Sequence, residues 1–157
     1  MSTLQNLRNR VAECDHRLDE LRPLGPGEPG PADPATGERW DRYNTLGHLA
    51  EMLPFWTGEM RRIMEGATEF GRDEDGYRRR QAAIDSAAAA DEVELIHAVR
   101  AGTAGLTALL EDLSESDLTR VVARRSSDGD SEATLGEYLE RVLVGHLEEH
   151  LAQLERD

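Results

Sequence analysis

The residues best suited to chemistry in this chain are two histidines near its C-terminal end. His146 and His150 lie four positions apart in a segment whose leucines and valines repeat with helical spacing. On a helical wheel both imidazoles fall in the middle of the apolar stripe that must face the protein interior. Burying two unpartnered imidazoles is costly, and a shared cation would relieve that cost. The pair therefore predicts two ligands to one metal ion. In the alternative, one histidine bonds a buried partner and the other reaches solvent.

A third metal ligand should come from another helix, and His48 is the best placed of the remaining histidines. It borders the buried face of a second predicted helix, beside Met52 and Phe55. His97 and His16 are less well aimed, and we expect both at the surface or the rim. Three neutral nitrogens with an open position are typical of a catalytic metal site rather than a structural one. Zinc suits such a set best, although nickel, iron or manganese would also bind.

The composition excludes several other classes of protein. The chain has 157 residues, and its 18 basic and 32 acidic residues give a formal net charge of −14. A chain this acidic is repelled by phosphate backbones and anionic lipid heads, so we expect no nucleic-acid and no membrane partner. A single cysteine, Cys14, lies in an apolar helical stripe; it excludes an internal disulfide and indicates a buried hydrophobe in a reducing compartment.

No signal peptide and no membrane span are predicted either. The N-terminus lacks the basic-then-apolar order of a signal peptide, and no apolar run approaches the ~20 residues that cross a bilayer. We therefore expect a cytoplasmic protein.

Helical periodicity predicts four long helices and hence an all-α, four-helix bundle that forms one domain over residues 1–157. The predicted helices span about residues 3–22, 41–64, 91–113 and 134–155. The stretch 23–37 is rich in proline and glycine and predicts a loop, whereas 66–90 predicts a long connection with some helix. Pro54 lies inside the second helix and should kink or break it. Residues 119–125 are typical of a short extended segment.

Two motifs in this order resemble the DinB-like superfamily of metal-dependent four-helix bundles, which includes thiol S-transferases that use bacillithiol or mycothiol. The first motif begins at Trp40, continues with a small helix-capping residue, Asp41, and places His48 eight residues after the tryptophan. The second is Thr134-Leu135-Gly136-Glu137, which leads into His146-Leu147-Glu148-Glu149-His150. The resemblance covers essentially the whole chain.

The resemblance implies that His48, His146 and His150 are the metal triad. It also implies that the helices run up-down-down-up, with residues 66–90 as the crossover, and it makes a homodimer an expectation. Asn44 departs from the pattern, because the family usually has Glu or Gln at that position.

These features favour a metal-dependent enzyme, with a thiol S-transferase first among the interpretations. A low-molecular-weight thiol, such as mycothiol or bacillithiol, would bind the metal as a thiolate and attack an electrophilic carbon. In the second interpretation water stays on the metal and the protein is a hydrolase, with Glu149 as the nearest general acid or base. In the third, the protein is not an enzyme and a closed four-ligand site, completed for example by His97, stabilises a bundle that binds other proteins.

The sequence assigns no catalytic side chain beyond these candidate ligands and leaves two groups of residues open. Met52, Phe55, Trp56 and Tyr138 either wall an apolar pocket or belong to the core. The charged run from Arg72 to Arg80 is either a solvated loop or a recruiting site for an anionic thiol.

Overall fold

The computed structural model describes residues 1–156 and is mostly helical. The helices are α1 (Thr3–Glu20), α2 (Arg42–Met64), α3 (Glu74–Ser86), α4 (Glu92–Asp112), α5 (Leu135–Tyr138) and α6 (Gly145–Glu155). A π-helical segment, Leu139–Val144, joins α5 to α6, so the three form one rod. Single 3-10 turns follow α3 at Ala87–Ala89 and precede the second strand at Asp117–Thr119.

The expectation of an all-α fold is wrong in one respect, because the chain also forms a small sheet. Its strands are β1 (Glu69–Gly71), β2 (Val121–Arg125) and β3 (Ser131–Thr134). β1 pairs in parallel with β2, and β2 pairs antiparallel with β3. Phe70 and Val122 point their side chains into the core, so the sheet extends the apolar interior. The connection predicted at 66–90 therefore contains a strand and a helix.

Side-chain caps determine where the helices near the site begin. Asp41 accepts the N–H of Asn44, and the Asn44 side chain accepts the N–H of Asp41, which closes a capping box at the start of α2. Thr134 and Glu137 form the same arrangement at the start of α5, as the sequence predicts. Helix α2 continues through Pro54, so the predicted break does not occur.

Ion pairs show how the long helices lie beside one another. The pairs are Arg10–Glu148 and Arg17–Glu155 between α1 and α6, and Arg42–Glu92 and Arg61–Asp112 between α2 and α4. In each pair of helices, the ion-pair residue that comes later in one helix contacts the residue that comes later in the other helix. Helix α1 therefore runs parallel to α6, and α2 runs parallel to α4.

Helix α4 is long and apolar enough to pass a length-and-composition test for a membrane span, contrary to the expectation from the sequence. The core helix of a globular bundle has the same composition. Ile96, Val99, Leu106 and Leu110 are buried, and α4 packs against both α1 and α2. The apolar composition of α4 is therefore explained by its place in the core.

Candidate metal centre

Three imidazoles meet between α2 and α6. The Nε2 atom of His146 lies 3.0 Å from Nε2 of His48 and 2.8 Å from Nε2 of His150. The potential ligand atoms of the three residues all lie within 4.8 Å of one another. His48 comes from the second turn of α2, whereas the other two come from successive turns of α6. The structure thus brings together the three histidines that the sequence singled out.

These nitrogens cannot satisfy one another through hydrogen bonds alone. A neutral imidazole nitrogen carries either one in-plane N–H or one in-plane lone pair, so Nε2 of His146 can serve only one of its two neighbours. Protonation is opposed as well. Burial, reinforced by the neighbouring imidazoles, lowers the pKa of His48 to about 2 and that of His146 to about 4. Burial also lowers the pKa of His150.

A divalent cation fits this donor set. It would accept a lone pair from each ring and remove the conflict at the central nitrogen. Two nitrogens bound to one tetrahedral zinc ion at about 2.0–2.1 Å are separated by roughly 3.3 Å. The two Nε2 separations of 3.0 and 2.8 Å are a few tenths of an ångström shorter, so a small outward movement of the rings would accommodate the ion. His48, His146 and His150 could therefore hold a metal ion.

Neighbouring side chains orient the imidazoles. Nδ1 of His150 donates to Oε1 of Gln153 at 2.9 Å, which leaves Nε2 of that ring with its lone pair. The ring of Trp40 lies 5.0 Å from the His48 ring and 5.9 Å from the His150 ring, nearly parallel to the latter. Nδ1 of His48 is buried and has no hydrogen-bond partner among residues 1–156.

The three histidines line a cavity of about 630 Å³. Most of its wall comes from the chain between α1 and α2 and from the exposed side of α6. The other side chains and glycines that line it are Glu28, Gly30, Pro31, Ala32, Asp33, Pro34, Thr36, Glu38, Trp40, Asp41, Arg42, Thr45, Arg80, Glu149, Gln153, Leu154 and Arg156. No fourth histidine, cysteine or carboxylate joins the cluster among residues 1–156. The site is open to a cavity of small-molecule size.

Residues 22–41, which we call the strap, form the outer wall of this cavity. The proline- and glycine-rich part of the strap is held by backbone hydrogen bonds, including Gly30 N–H to the Trp40 carbonyl and Arg42 N–H to the Pro26 carbonyl. Its first residues are held by Glu92, whose carboxylate accepts the N–H groups of Leu24 and Gly25. The loop predicted at 23–37 is thus tied down at several points.

Arg42 and Glu92 anchor the strap from beneath, and neither role was predicted from the sequence. The Arg42 side chain is fully buried, and its Nε donates to Glu92 at 2.6 Å. The remaining guanidinium nitrogens donate to the carbonyls of Leu154 and Arg22. One side chain therefore joins the start of α2 to α4, to the end of α6 and to the strap.

The charged run from Arg72 to Arg80 is not a solvated loop. Asp73 caps α3, and Arg72 is buried in an ion pair with Glu51. Arg78 and Arg79 are exposed on α3, whereas Arg80 lines the cavity. The run therefore contributes one cation to the site.

The other residues that the sequence offered as site candidates lie in the core, at the surface or at the cavity. Of the four possible pocket residues, none lines the cavity: Met52, Trp56 and Tyr138 are buried in the core, and Phe55 packs against it. His16 and His97 are exposed, and His97 lies in a separate small cleft beside α1. The closed site completed by His97 is therefore not formed. Glu149 does line the cavity.

Comparisons with known proteins agree with this fold. A family model described as the DinB superfamily matches residues 2–154. No curated protein sequence matches the chain. Among solved structures, the colibactin self-resistance protein ClbS, crystallised in complex with a dsDNA, is similar with a TM-score of 0.66 and 16% sequence identity. The similarity covers 98% of this chain and 92% of that one.

The comparison with ClbS overturns the expectation of no nucleic-acid partner. That expectation came from the net charge of −14 and from the shortness of the longest basic run, Arg78-Arg79-Arg80. A protein of the same fold is seen bound to dsDNA, so membership of this fold is compatible with a nucleic-acid partner. Net charge describes the average field of a molecule, whereas binding depends on the charges of one surface.

Proposed function

The chain belongs to the DinB superfamily, and from that premise we propose that it is a metal-dependent enzyme, most specifically a thiol S-transferase. The observation that carries the proposal is the convergence of three Nε2 atoms beside an open cavity. A structural site would be closed by a fourth protein ligand, whereas a catalytic site keeps a position for substrate.

His48, His146 and His150 would hold the ion, with zinc as the first candidate and nickel, iron or manganese as alternatives. When bound, a divalent metal supplies a Lewis acid that lowers the pKa of a thiol or of water. Gln153 keeps the Nε2 lone pair of His150 directed at the site, and Trp40 excludes water from one side of the rings.

The transfer would form a bond between the thiol sulfur and an electrophilic carbon while a leaving group departs from that carbon. The thiol proton must leave the cavity during this exchange. Glu149 lies on α6 next to the histidines, is exposed to solvent and lines the cavity, so it can carry that proton to water. A low-molecular-weight thiol such as mycothiol or bacillithiol is the proposed co-substrate.

A metal-dependent hydrolase is the second candidate, and the same carboxylate favours it. Water would be the nucleophile, and Glu149 would act as its general base. The non-enzymatic interpretation has less support, because the cavity leaves one side of the cluster open.

Two broader features belong to the proposal. We infer that the long helices run up-down-down-up with residues 66–90 as the crossover; the ion pairs, which indicate that α1 is parallel to α6 and α2 to α4, support this order. We also infer a cytoplasmic location, which is supported by Cys14 as a buried free thiol.

The test is a reaction in which thioether and alcohol products are measured separately. Zinc-loaded protein is incubated with an alkylating electrophile and with mycothiol, bacillithiol or no thiol, and products are identified by mass spectrometry. We expect thioether formation that requires both thiol and zinc and that is lost in His146→Ala. His97→Ala is the matched control, because His97 is an exposed histidine outside the cluster. Alcohol formation without thiol would instead establish the hydrolase.

ClbS raises a separate question about DNA, and a gel-shift titration with duplex DNA answers it for this chain. The titration is run at several salt concentrations, because electrostatic binding to a duplex weakens steeply with salt. A salt-dependent shift would add a nucleic acid to the partners of the protein.

A further inference from the structure

Arg80 is a half-buried cation at the three-histidine cavity. It lies on α3, and its guanidinium carbon is 5.6 Å from the centre of the Trp40 ring. The same indole packs against His48 and His150. Trp40 therefore supports the guanidinium on one part of its surface and the imidazoles on another, which places a charged group beside the site where a ligand would bind.

In the part of the chain that the structure describes, the donors of Arg80 have no protein acceptor. Among residues 1–156, no carboxylate lies within 4.0 Å of its nitrogens, and its side chain makes no hydrogen bond. Arg42, another cation of the cavity, differs because all of its guanidinium nitrogens donate to protein groups. Arg156 is exposed at the end of α6. Partial burial of an arginine without a partner costs free energy that a bound anion would return.

The carboxylates of the cavity limit the anion to a weakly charged one. They are Glu28, Asp33, Glu38, Asp41 and Glu149. Three of them are engaged: Asp33 and Asp41 accept backbone N–H groups, and Glu38 accepts the indole N–H of Trp40. Because these negative charges line the same cavity as Arg80, a singly charged carboxylate is favoured over a doubly charged phosphate.

We infer that Arg80 is a specificity-determining residue that pairs with a carboxylate of the thiol substrate while the thiol sulfur lies at the three histidines. The thiol part of the inference rests on the proposed function, whereas the carboxylate part rests on Arg80 alone. A guanidinium presents two parallel N–H donors, which match the two oxygens of a carboxylate. The substrate class is thus a small thiol that is also a carboxylic acid, a description that fits bacillithiol and excludes mycothiol, which has no carboxyl group.

The test compares ligands that differ only in charge. Binding of 3-mercaptopropionate and of 3-mercaptopropionamide to the zinc-loaded protein is measured by calorimetry, and propionate and propionamide are measured in parallel. We expect the mercapto acid to bind about tenfold or more tightly than its amide, which is the range of a charge-assisted hydrogen bond. Arg80→Gln should bring the ratio close to one. Arg79→Gln, which changes an exposed neighbour on the same helix, should leave the ratio unchanged.

The outcomes separate this inference from the proposed function. A wild-type ratio near one, or a ratio that survives in Arg80→Gln, overturns the role of Arg80. If the mercapto acid binds no better than propionate, the proposed thiol site is refuted. The role of Arg80 is then still supported if the preference for propionate over propionamide depends on Arg80. Circular dichroism checks the fold of each variant. If Arg80→Gln does not fold, Arg80→Lys replaces it; we expect at least a threefold loss of the ratio, because lysine lacks the paired donors.

Discussion

Replacing Glu92 with Gln should destabilise the protein and loosen the strap. Glu92 is the sole carboxylate within 4.0 Å of the Arg42 guanidinium among residues 1–156, and that side chain is fully buried. The carboxylate also accepts the N–H groups of Leu24 at 3.1 Å and Gly25 at 2.9 Å. The substitution leaves a buried positive charge without its counterion and turns an amide NH₂ toward a donor.

The expected cost follows from these contacts. Breaking a buried ion pair by removing one partner costs about 3–5 kcal/mol in unfolding free energy. For a chain of this length each kcal/mol corresponds to about 2–4 °C, so the melting temperature should fall by roughly 6–20 °C. Urea unfolding followed by circular dichroism measures the free energy directly.

Two further variants make the result specific. Glu94→Gln removes an exposed carboxylate from the first turn of the same helix, and we expect a loss below about 1 kcal/mol. The double variant Arg42→Met with Glu92→Leu removes both charges, and we expect it to be more stable than Glu92→Gln. A loss below about 1 kcal/mol for Glu92→Gln, or a double variant that is less stable still, would refute this stabilising role of the Arg42–Glu92 pair.

The same pair predicts a dependence on pH. Burial acts to raise the pKa of Glu92, but the hydrogen bonds from Arg42, Gly25 and Leu24 outweigh it and hold the pKa below its ordinary value. A carboxyl whose pKa is lowered by folding stabilises the protein above its unfolded pKa, near 4.3, and loses that contribution as the pH falls through its folded pKa. The stability difference between wild type and Glu92→Gln should therefore shrink below about pH 4. A difference that stays constant down to acid unfolding would contradict this account.

Three other predictions concern the metal, the cysteine and one helix contact. Zinc at 100 times its dissociation constant should stabilise the folded protein by about 2.7 kcal/mol, or roughly 5–10 °C in melting temperature; His48→Ala should abolish the shift and His97→Ala should keep it. Burial raises the pKa of Cys14 to about 11, so a disulfide reagent at pH 8 should label the folded protein far more slowly than the unfolded one. A Cβ on Gly47 would lie 2.8 Å from the Ala83 carbonyl oxygen, so Gly47→Ala should cost about 1–3 kcal/mol in urea unfolding; a neutral result would argue against this close approach.

The long helices were predictable because their signals are local. Asp41 and Thr134 cap helices at the positions predicted, and the apolar repeat of α1 is buried as its spacing indicates. Strand β1 gives no such signal. It has three residues, and its partner β2 begins about 50 positions later in the chain. A pairing that is formed by residues so far apart cannot be read from periodicity.

In the candidate site, too, the residues with a local signal were predictable and those brought together by packing were not. His146 and His150 were predictable because both lie within α6, where a spacing of four places them on one face. Arg42 and Glu92 were missed because a buried charged residue resembles a surface residue in the sequence, and Arg80 was named only as one end of a charged run that was left between two interpretations. Arg42 and Glu92 are 50 positions apart, and only the packing of α2 against α4 makes them partners.

The π-helical segment explains how His146 and His150 come to face His48. A wheel drawn at a constant 100° per residue assumes that α5 and α6 share one regular helix, but the N–H of Gly145 bonds to the carbonyl of Glu140, five residues earlier. The wider turn changes the angular relation between α5 and everything after Val144. The face that α6 presents to α2 is therefore set at this segment.

Arg10 holds that face in place from α1. Its guanidinium makes two hydrogen bonds to Glu140 and two to Glu148, which lie on opposite sides of the last π-helical residues. A change in the phase of α6 would move Glu148 away from Glu140 and break one of these bidentate pairs. His146 and His150 flank Glu148 by two residues on either side, so we expect the same contacts to constrain the direction of the imidazoles. We therefore expect the geometry of the candidate metal centre to depend on Arg10, a residue of α1 that touches none of the three histidines.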